Sequence, residues 1–340
     1  VIVLTADWHV GLRSYRQKEG VDSRYWDIRE RLKFLGSYIA KNEIESLVVA
    51  GDVFERTHPS PLDYYIVMSF LKKITSEGVG VVIVAGNHDV SSYTNALKPL
   101  TKIDYVTVVS DEVFLKRKFD IDFLFIPHGA EIKKEWKCDV LITHADPGYY
   151  EEESIRHFPI DGVKYEIAFA GHIHKHSFKD AYNVVTIGAL TPRTFGEVKD
   201  KQGFVTFDIN EESFKYSFVE CKAGIKYGDV EIEEVKVYKN YEKEIKKCDE
   251  VKLKIHSSNI AVVQEIVEWV EGMGVVVGKW ESVKERIVKG GKTTSSKKAS
   301  VFNFLNYRQA LEQWVEANDQ PKVLLSLGGR IIDEVVEGRK

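Results

Sequence analysis

Cysteine is scarce in this 340-residue chain, and its three copies, Cys138, Cys221 and Cys248, are odd in number and far apart. That excludes a disulfide framework and a CxxC metal site, and it suits reduced thiols in a cytosol. Long apolar runs are also lacking. None approaches the ~20 residues needed to span a bilayer. The opening Val1–Leu4 run, soon followed by Asp7, has neither the basic flank nor the apolar length of a signal peptide. No membrane association is expected, and a cytoplasmic location is. A surplus of positive charge is missing as well: 48 Lys and Arg stand against 52 Asp and Glu, a net charge of −4. A nucleic-acid binder with this balance must concentrate its basic side chains locally or borrow charge from a partner. What is abundant is apolar material, 44% of residues, enough for one large core plus smaller appendages.

Short β-branched runs alternate with helical periods from the start. Val1–Ala6, Ser46–Ala50 and Val79–Ala85 read as buried strands. Between them, Ser23–Lys41 carries Tyr25, Ile28, Leu32, Leu35 and Ile39 at helical spacing, and Pro61–Ser76 opens with a proline suited to a first helical turn. This βαβαβ opening puts a polar motif at the C-terminal end of each strand, where open α/β sheets hold their sites. After residue 100 strands dominate: Tyr105–Val109, Glu112–Lys118, Asp122–Ile126, Asp139–Thr143, Ile167–Ala170, Val184–Ile187, Phe204–Asp208 and Lys215–Glu220. The pattern predicts an α/β fold, two sheets face to face with helices outside. Composition shifts near Ala223–Asp229. A strand (Val251–His256), a helix (Asn259–Glu271) and a strand (Val275–Glu281) then follow as a small α/β module. Lys289–Ser300 (KGGKTTSSKKAS), with four lysines and no acid, reads as a flexible basic linker. Val301–Asn318 and Pro321–Val336 read as two amphipathic helices, a hairpin that must dock on this chain or on another.

Chemistry is concentrated in five motifs, each after an expected strand: Asp7-Trp8-His9, Gly51-Asp52, Gly86-Asn87-His88-Asp89, Thr143-His144 and Gly171-His172-Ile173-His174. Oxygen and imidazole donors without thiolate suit first-row metals of intermediate hardness and argue against a structural zinc. Singly, most of these motifs are ordinary. Gly-Asp after a strand is commonly a turn, and a lone His there is commonly a satisfied polar residue. Gly-His-x-His says more, because alternate residues of an extended chain point the same way. The ordered set carries the weight.

That ordered set resembles the calcineurin-like metallophosphoesterase superfamily. Within it, ADWHVG at Ala6–Gly11, GDVFERTHPSP at Gly51–Pro61 and GALTPRTFGEVKDKQGFVTFDI at Gly188–Ile209 resemble segments of SbcD-type DNA repair nucleases. The compact length is similar to that of the small nuclease subunit of T-even-type phages. The resemblance implies one metal held by Asp7, His9, Asp52 and His174 and another by Asp52, Asn87, His144 and His172, with Asp52 bridging. It implies that His88 is catalytic, facing the scissile phosphate to stabilise charge or protonate the leaving 3′ oxygen. Asp89 either orients His88 or belongs to the turn. One position departs. Where the family has a His that contacts the phosphate or DNA strand, this chain has Glu55, which when ionised cannot donate. His58, three residues on, is either a substitute or a solvated loop residue. Arg13, Arg16, Lys18, Arg193 and Lys201 are candidate DNA contacts, and Tyr149-Tyr150 is a stacking pair or ordinary packing.

The implied architecture is a four-layered αββα sandwich of two mixed sheets over residues 1–222 and a DNA-capping α/β module over 223–288. The linker 289–300 leads to the hairpin 301–340, which would dock on the coiled-coil base of an SbcC-type ABC ATPase. The implied activity is a manganese-dependent nuclease with two Mn2+ ions, magnesium being the weaker alternative. It would act 3′→5′ on duplex ends and endonucleolytically on single strands or hairpins, in double-strand-break processing. Homodimerisation through Pro61–Ser76 and Tyr93–Leu100 is implied too, with a nucleoid-associated place in the cytoplasm (a host's, for a phage protein). Two other classes compete. A phosphatase or small-molecule phosphodiesterase of the same superfamily is hinted at by Gly51–Arg56 (GDVFER), but Gly86–Ser91 (GNHDVS) lacks the arginine phosphatases carry soon after this motif. A non-catalytic scaffold would have lost ligands, and here all are present.

Overall fold

Alternation along the first strands sorts their side chains between two cores. The computed structural model describes residues 1–14, 16–118, 120–131, 135–145, 162–179, 183–210 and 213–283. The expected linker 289–300, the hairpin 301–340 and Tyr149-Tyr150 lie outside these. Ile2–Thr5, Ser46–Ala50 and Gly80–Val84 lie side by side and parallel. Val3, Leu47, Val49, Val81 and Ile83 join one core, and Ile2, Leu4, Val48, Val82 and Val84 the other, as successive strand residues must.

The first set meets two helices. Ser23–Lys41 starts at Asp22, whose carboxylate accepts the Arg24 N–H at 2.9 Å, and ends at Asn42. Pro61–Ser76 starts at a capping box of Ser60 and Asp63, with the proline in its first turn. Tyr25, Ile28, Leu32, Leu35 and Ile39 from one helix and Val67, Phe70, Leu71 and Ile74 from the other bury in this core. Each such side chain contributes roughly 1.5–3 kcal/mol relative to exposure.

The second set meets a second sheet, whose Phe123, Phe125, Val140, Ile142, Phe169 and Val185 supply the opposing face. Edge to edge, the first sheet runs Ser213–Glu220, Gly203–Asn210, Ile2–Thr5, Ser46–Ala50, Gly80–Val84, Val106–Val109. It is antiparallel through its first three strands and parallel beyond. The second runs Ser177–Lys179, Val184–Thr186, Ile167–Gly171, Val140–His144, Ile121–Ile126, Phe114–Lys118, and is parallel except at its two edges. Its outer face carries a further cluster containing Leu124, Cys138, Leu141 and Val163. The expected α/β sandwich of two mixed sheets therefore forms.

Val1–Glu285 is one compact unit. Within it, Tyr227–Ile232, Glu250–Ile255 and Val276–Ser282 form a parallel three-stranded sheet that shares an apolar cluster with the helix Ile260–Gly272. The leading strand, Tyr227–Ile232, is not among the strands expected from the sequence. This module meets the body at Asp27, a fully buried carboxylate of the first helix. Asp27 accepts from Arg31 Nε at 2.9 Å, Thr191 Oγ1 at 2.9 Å and the Ile225 N–H at 2.7 Å. Among the described residues no helix is long and apolar enough to cross a membrane.

Parallel strands from both sheets end at one place. The His144 ring reaches the Ala50 carbonyl, with Nδ1 2.8 Å from the oxygen, and the His172 N–H donates to the Asp7 carboxylate at 3.1 Å. The five motifs meet there.

Candidate metal centre

Past the strand ends the backbone takes a strained course. Asp7, His9, Asp52 and His172 have φ of 53°, 46°, 52° and 79°, the left-handed region that residues other than glycine seldom enter. Such strain costs of order 1–3 kcal/mol per residue and persists where the surroundings over-determine it. Here two loops run side by side, with the Asp7 N–H donating to the Gly51 carbonyl and the His9 N–H to that of Asp52, each at 3.0 Å. Trp8 is buried in the helical core as an anchor. It packs edge-on against Phe70 at 5.5 Å and donates from Nε1 to Thr5 Oγ1 at 3.0 Å.

Asp89 ties the next two motifs together. Its buried carboxylate accepts the N–H groups of Phe54 and Gly86 at 3.0 Å and of Val53 at 3.3 Å. Burial, and then the nearby Asp52 charge, push its carboxyl up to about 7 against those donors. Of the two roles open for Asp89, the structure shows the turn. Two glycines permit the close approach. A Cβ on Gly51, whose φ is 89°, would run into the His144 ring, and one on Gly86 would run into Asp52 Oδ1.

The side chains implied as ligands come together as two overlapping groups. His9 Nε2 lies 3.1 Å from His174 Nε2 and 3.7 Å from Asp52 Oδ2, and His174 Nε2 lies 3.8 Å from Asp7 Oδ1. On the other side, His144 Nε2 is 3.4 Å from Asp52 Oδ2, and Asn87 Oδ1 is 3.1 Å from both His144 Nε2 and His172 Nδ1. Asp52 is common to both, the place a bridging carboxylate needs. Among the described residues three compact sets of potential donors overlap: Asp7, His9 and His174; Asp52, His144 and His172; and, between them, His9, Asp52 and His88.

The donor chemistry fits divalent cations. Two imidazole nitrogens facing each other at 3.1 Å share at most one proton, whereas a cation satisfies both lone pairs. Burial pushes the Asp7 carboxyl up despite His144, His174 and His9 nearby, and a cation in contact reverses that sign. Burial also opposes charge on Asp52, but His144, His9 and the His88 N–H outweigh it and hold the carboxyl well below the usual range. Burial likewise disfavours protonated His144, yet Asp52 and then Asp7 push the ring up to about 9.

His88 closes the site. Its N–H donates to Asp52 Oδ1 at 2.9 Å, and its Nδ1 lies 2.7 Å from the Glu55 carbonyl, which leaves Nε2 as the ring atom available to the cavity. That cavity, about 350 Å³, is lined by His9, Asp52, Asn87, His88, His172 and His174 together with Lys175, Arg193, Glu197 and Asp200.

Two acids stand behind the rings. Glu55 Oε2 approaches His9 Nδ1 at 2.9 Å, and Glu197 Oε2 lies 3.0 Å from His174 Nδ1. Glu55 is noticeable in the sequence as a departure from the family pattern. Glu197 stands inside the quoted FGE segment, but nothing in the sequence alone ties it to a ring 23 residues away.

The basic candidates divide. Arg193 lines the cavity, with its Nη2 2.8 Å from Glu55 Oε1. Arg13 lies over the Tyr25 ring at 3.8 Å and beside Asp63. Arg16 pairs with Glu250 at 2.5 Å and donates to the Gly278 carbonyl, and Lys18 pairs with Asp249 at 3.4 Å over the Trp26 ring. None of these three lines the cavity, and two of them join the body to the C-terminal module. Lys201 is exposed near Glu220, and His58 is exposed beside Thr57.

The profile of the calcineurin-like phosphoesterase family matches residues 1–176. The DNA double-strand break repair protein Mre11 of Methanopyrus kandleri is 25% identical over 271 residues, 67% of this chain and 58% of that protein. Its namesake in Methanocaldococcus jannaschii is 25% identical over 280 residues, 73% of this chain and 74% of the relative. The SbcD component of the SbcCD nuclease of Bacillus subtilis is 33% identical over 101 residues, 29% of this chain and 25% of its own length. The chain thus spans little more than half of the first relative and a quarter of the last. The matched profile covers more than half of the chain and takes in all five motifs, and on that ground the chain belongs to the calcineurin-like phosphoesterase family.

Proposed function

We propose that this chain is a manganese-dependent DNA nuclease, with 3′→5′ exonuclease action on duplex ends and endonuclease action on single strands or hairpins, working in double-strand-break processing. The observation that carries the reading is the convergence of Asp7, His9, Asp52, Asn87, His144, His172 and His174 on one centre, beside a cavity that His88 lines. Relatives named for double-strand break repair and for the SbcCD nuclease support DNA as the substrate. Asp7, His9, Asp52 and His174 would hold one ion and Asp52, Asn87, His144 and His172 the other, as Mn2+ or, more weakly, Mg2+. When bound, such a pair offsets charge on the phosphodiester and makes water acidic enough to attack near neutral pH. His88, its Nδ1 held at the Glu55 carbonyl, presents Nε2 for a proton to the leaving 3′ oxygen. Arg193 and Lys175 stand at the cavity but are paired with Glu55 at 2.8 Å and Asp200 at 3.5 Å, so positive charge for the DNA would come in part from the ATPase partner.

The assembly follows the same reading. Residues 1–222 are the nuclease body, 223–288 a cap that helps hold DNA, 289–300 a linker, and 301–340 the hairpin that binds an SbcC-type ABC ATPase. The ATPase gates DNA access. A homodimer through Pro61–Ser76 and Tyr93–Leu100 is supported by apolar exposure there: Tyr65 is 70% and Tyr93 96% exposed. The place of action is the nucleoid-associated cytoplasm, a host's if the chain is phage-encoded.

The test is cleavage of an end-labelled duplex with manganese, by the unaltered protein and by His88→Ser, each with and without the ATPase. Manganese-dependent shortening lost in the variant supports the reading. Inert DNA beside rapid phosphopeptide hydrolysis replaces it with the phosphatase alternative.

A further inference from the structure

We propose that Glu55 and Glu197 are positioning residues that fix the two imidazoles of the first metal position and strengthen its hold on the ion. The inference rests on the metal-centre reading above. His9 and His174 both offer Nε2 to the first position, and behind each ring stands a carboxylate. His9 Nδ1 is 2.9 Å from Glu55 Oε2, off the ideal hydrogen-bond angle, and neither buried atom has another hydrogen-bond partner among the described residues. A proton on that Nδ1 therefore has one acceptor to go to. His174 Nδ1 is 3.0 Å from Glu197 Oε2.

His144 is held differently: its Nδ1 faces a neutral carbonyl, that of Ala50, at 2.8 Å. A carboxylate behind an imidazole fixes its tautomer and strengthens it as a ligand more than a carbonyl does, because the hydrogen bond is charge-assisted.

Arg193 joins the two acids. Its Nη2 donates to Glu55 Oε1 at 2.8 Å and its backbone N–H to Glu197 Oε2 at 2.8 Å. Thr194 Oγ1 donates to the remaining Glu197 oxygen at 3.2 Å. Glu55 and Glu197 thus reach the centre from two loops, and Arg193 holds both. Glu55, which cannot donate to phosphate while ionised, takes up a role behind the metal.

The experiment is calorimetric titration of the metal-free full chain with Mn2+, repeated for Glu55→Gln, Glu197→Gln and Glu55→Ala, with His144→Asn as control. Co2+ absorption spectra report the ligand field of each. Expected are two ions in the unaltered protein. In the glutamate variants one of them weakens by about 10–100-fold, less for Gln than for Ala, with an altered Co2+ spectrum and the other ion unchanged. His144→Asn weakens the other ion instead. Two ions bound by the Gln variants with unchanged affinities would overturn this inference alone. An unaltered protein that binds no pair would overturn the metal centre with it.

Discussion

Replacing Asp27 by alanine removes the acceptor at the junction of body and C-terminal module. The carboxylate is fully buried and takes hydrogen bonds from Arg31 Nε, Thr191 Oγ1 and the Ile225 N–H, all within 2.9 Å, with the Tyr227 hydroxyl at 3.4 Å. Without it, the buried Arg31 guanidinium keeps the Leu190 and Ile225 carbonyls, at 3.1 and 3.4 Å, but no counter-charge. Breaking a buried pair in this way costs about 3–5 kcal/mol. At roughly 2–4 °C per kcal/mol for a large unit, scanning calorimetry should show a fall of about 6–20 °C. Asp27→Asn keeps the shape and one oxygen, so it loses less. The double change Asp27→Leu with Arg31→Met removes both charges and recovers much of the stability. Alanine and unaltered proteins melting within about 2 °C of each other, well below the fall expected from breaking such a pair, would refute the picture of Asp27 as a buried, paired charge.

His88→Ser should lower cleavage by about 10²–10⁴-fold, the usual range for a lost proton donor, while manganese titration still finds both ions; undiminished cleavage contradicts its role. Gly86→Ala sets a Cβ against Asp52 Oδ1, so the carboxylate proposed to bridge the ions shifts and the metal stoichiometry falls; an unchanged stoichiometry rejects the close-approach argument. The ion needs a neutral His144 ring, and Asp52 pushes that ring up to about 9 against burial. Manganese affinity should therefore climb from pH 7 to pH 9 by up to about tenfold per unit, and a flat profile speaks against it. In the metal-free protein the sign reverses. The His144–Asp52 contribution is full below the ordinary His value of about 6.5 and is lost as pH rises through about 9, which melting against pH can follow.

Local signals made much of the fold legible. The helices Ser23–Lys41 and Pro61–Ser76 have the bounds their periods predict, because Asp22 and the Ser60–Asp63 capping box stop them where apolar spacing begins. The strand Tyr227–Ile232 is missed because acids interleave its inward residues, Val230 and Ile232, leaving too short an alternation to count. The motifs meet where strand ends meet, a place that their positions after the expected strands imply, while the ligand set itself comes from the family resemblance. What surrounds that set could not be read from the sequence. Glu55 and Arg193 are 138 residues apart, and Arg16 reaches Glu250 across 234. No periodicity in the chain records pairings at that range. The same applies to Asp89, whose three backbone partners lie on two loops.

The left-handed backbone at Asp7, His9, Asp52 and His172 narrows the routes by which this centre can drift. A replacement there must pass two filters, one for the atom it offers and one for the φ it tolerates. Asparagine passes the second more easily than alanine or valine, because a short polar side chain accepts the left-handed region. Silenced descendants of such a chain are then expected to carry Asn or Gly at these positions before any branched residue. The same asymmetry bears on the bench: Asp7→Asn or His9→Asn exchanges the carboxylate or imidazole for a weaker amide donor with the loop left in shape, whereas alanine adds a backbone cost of about a kcal/mol or more to the chemical one.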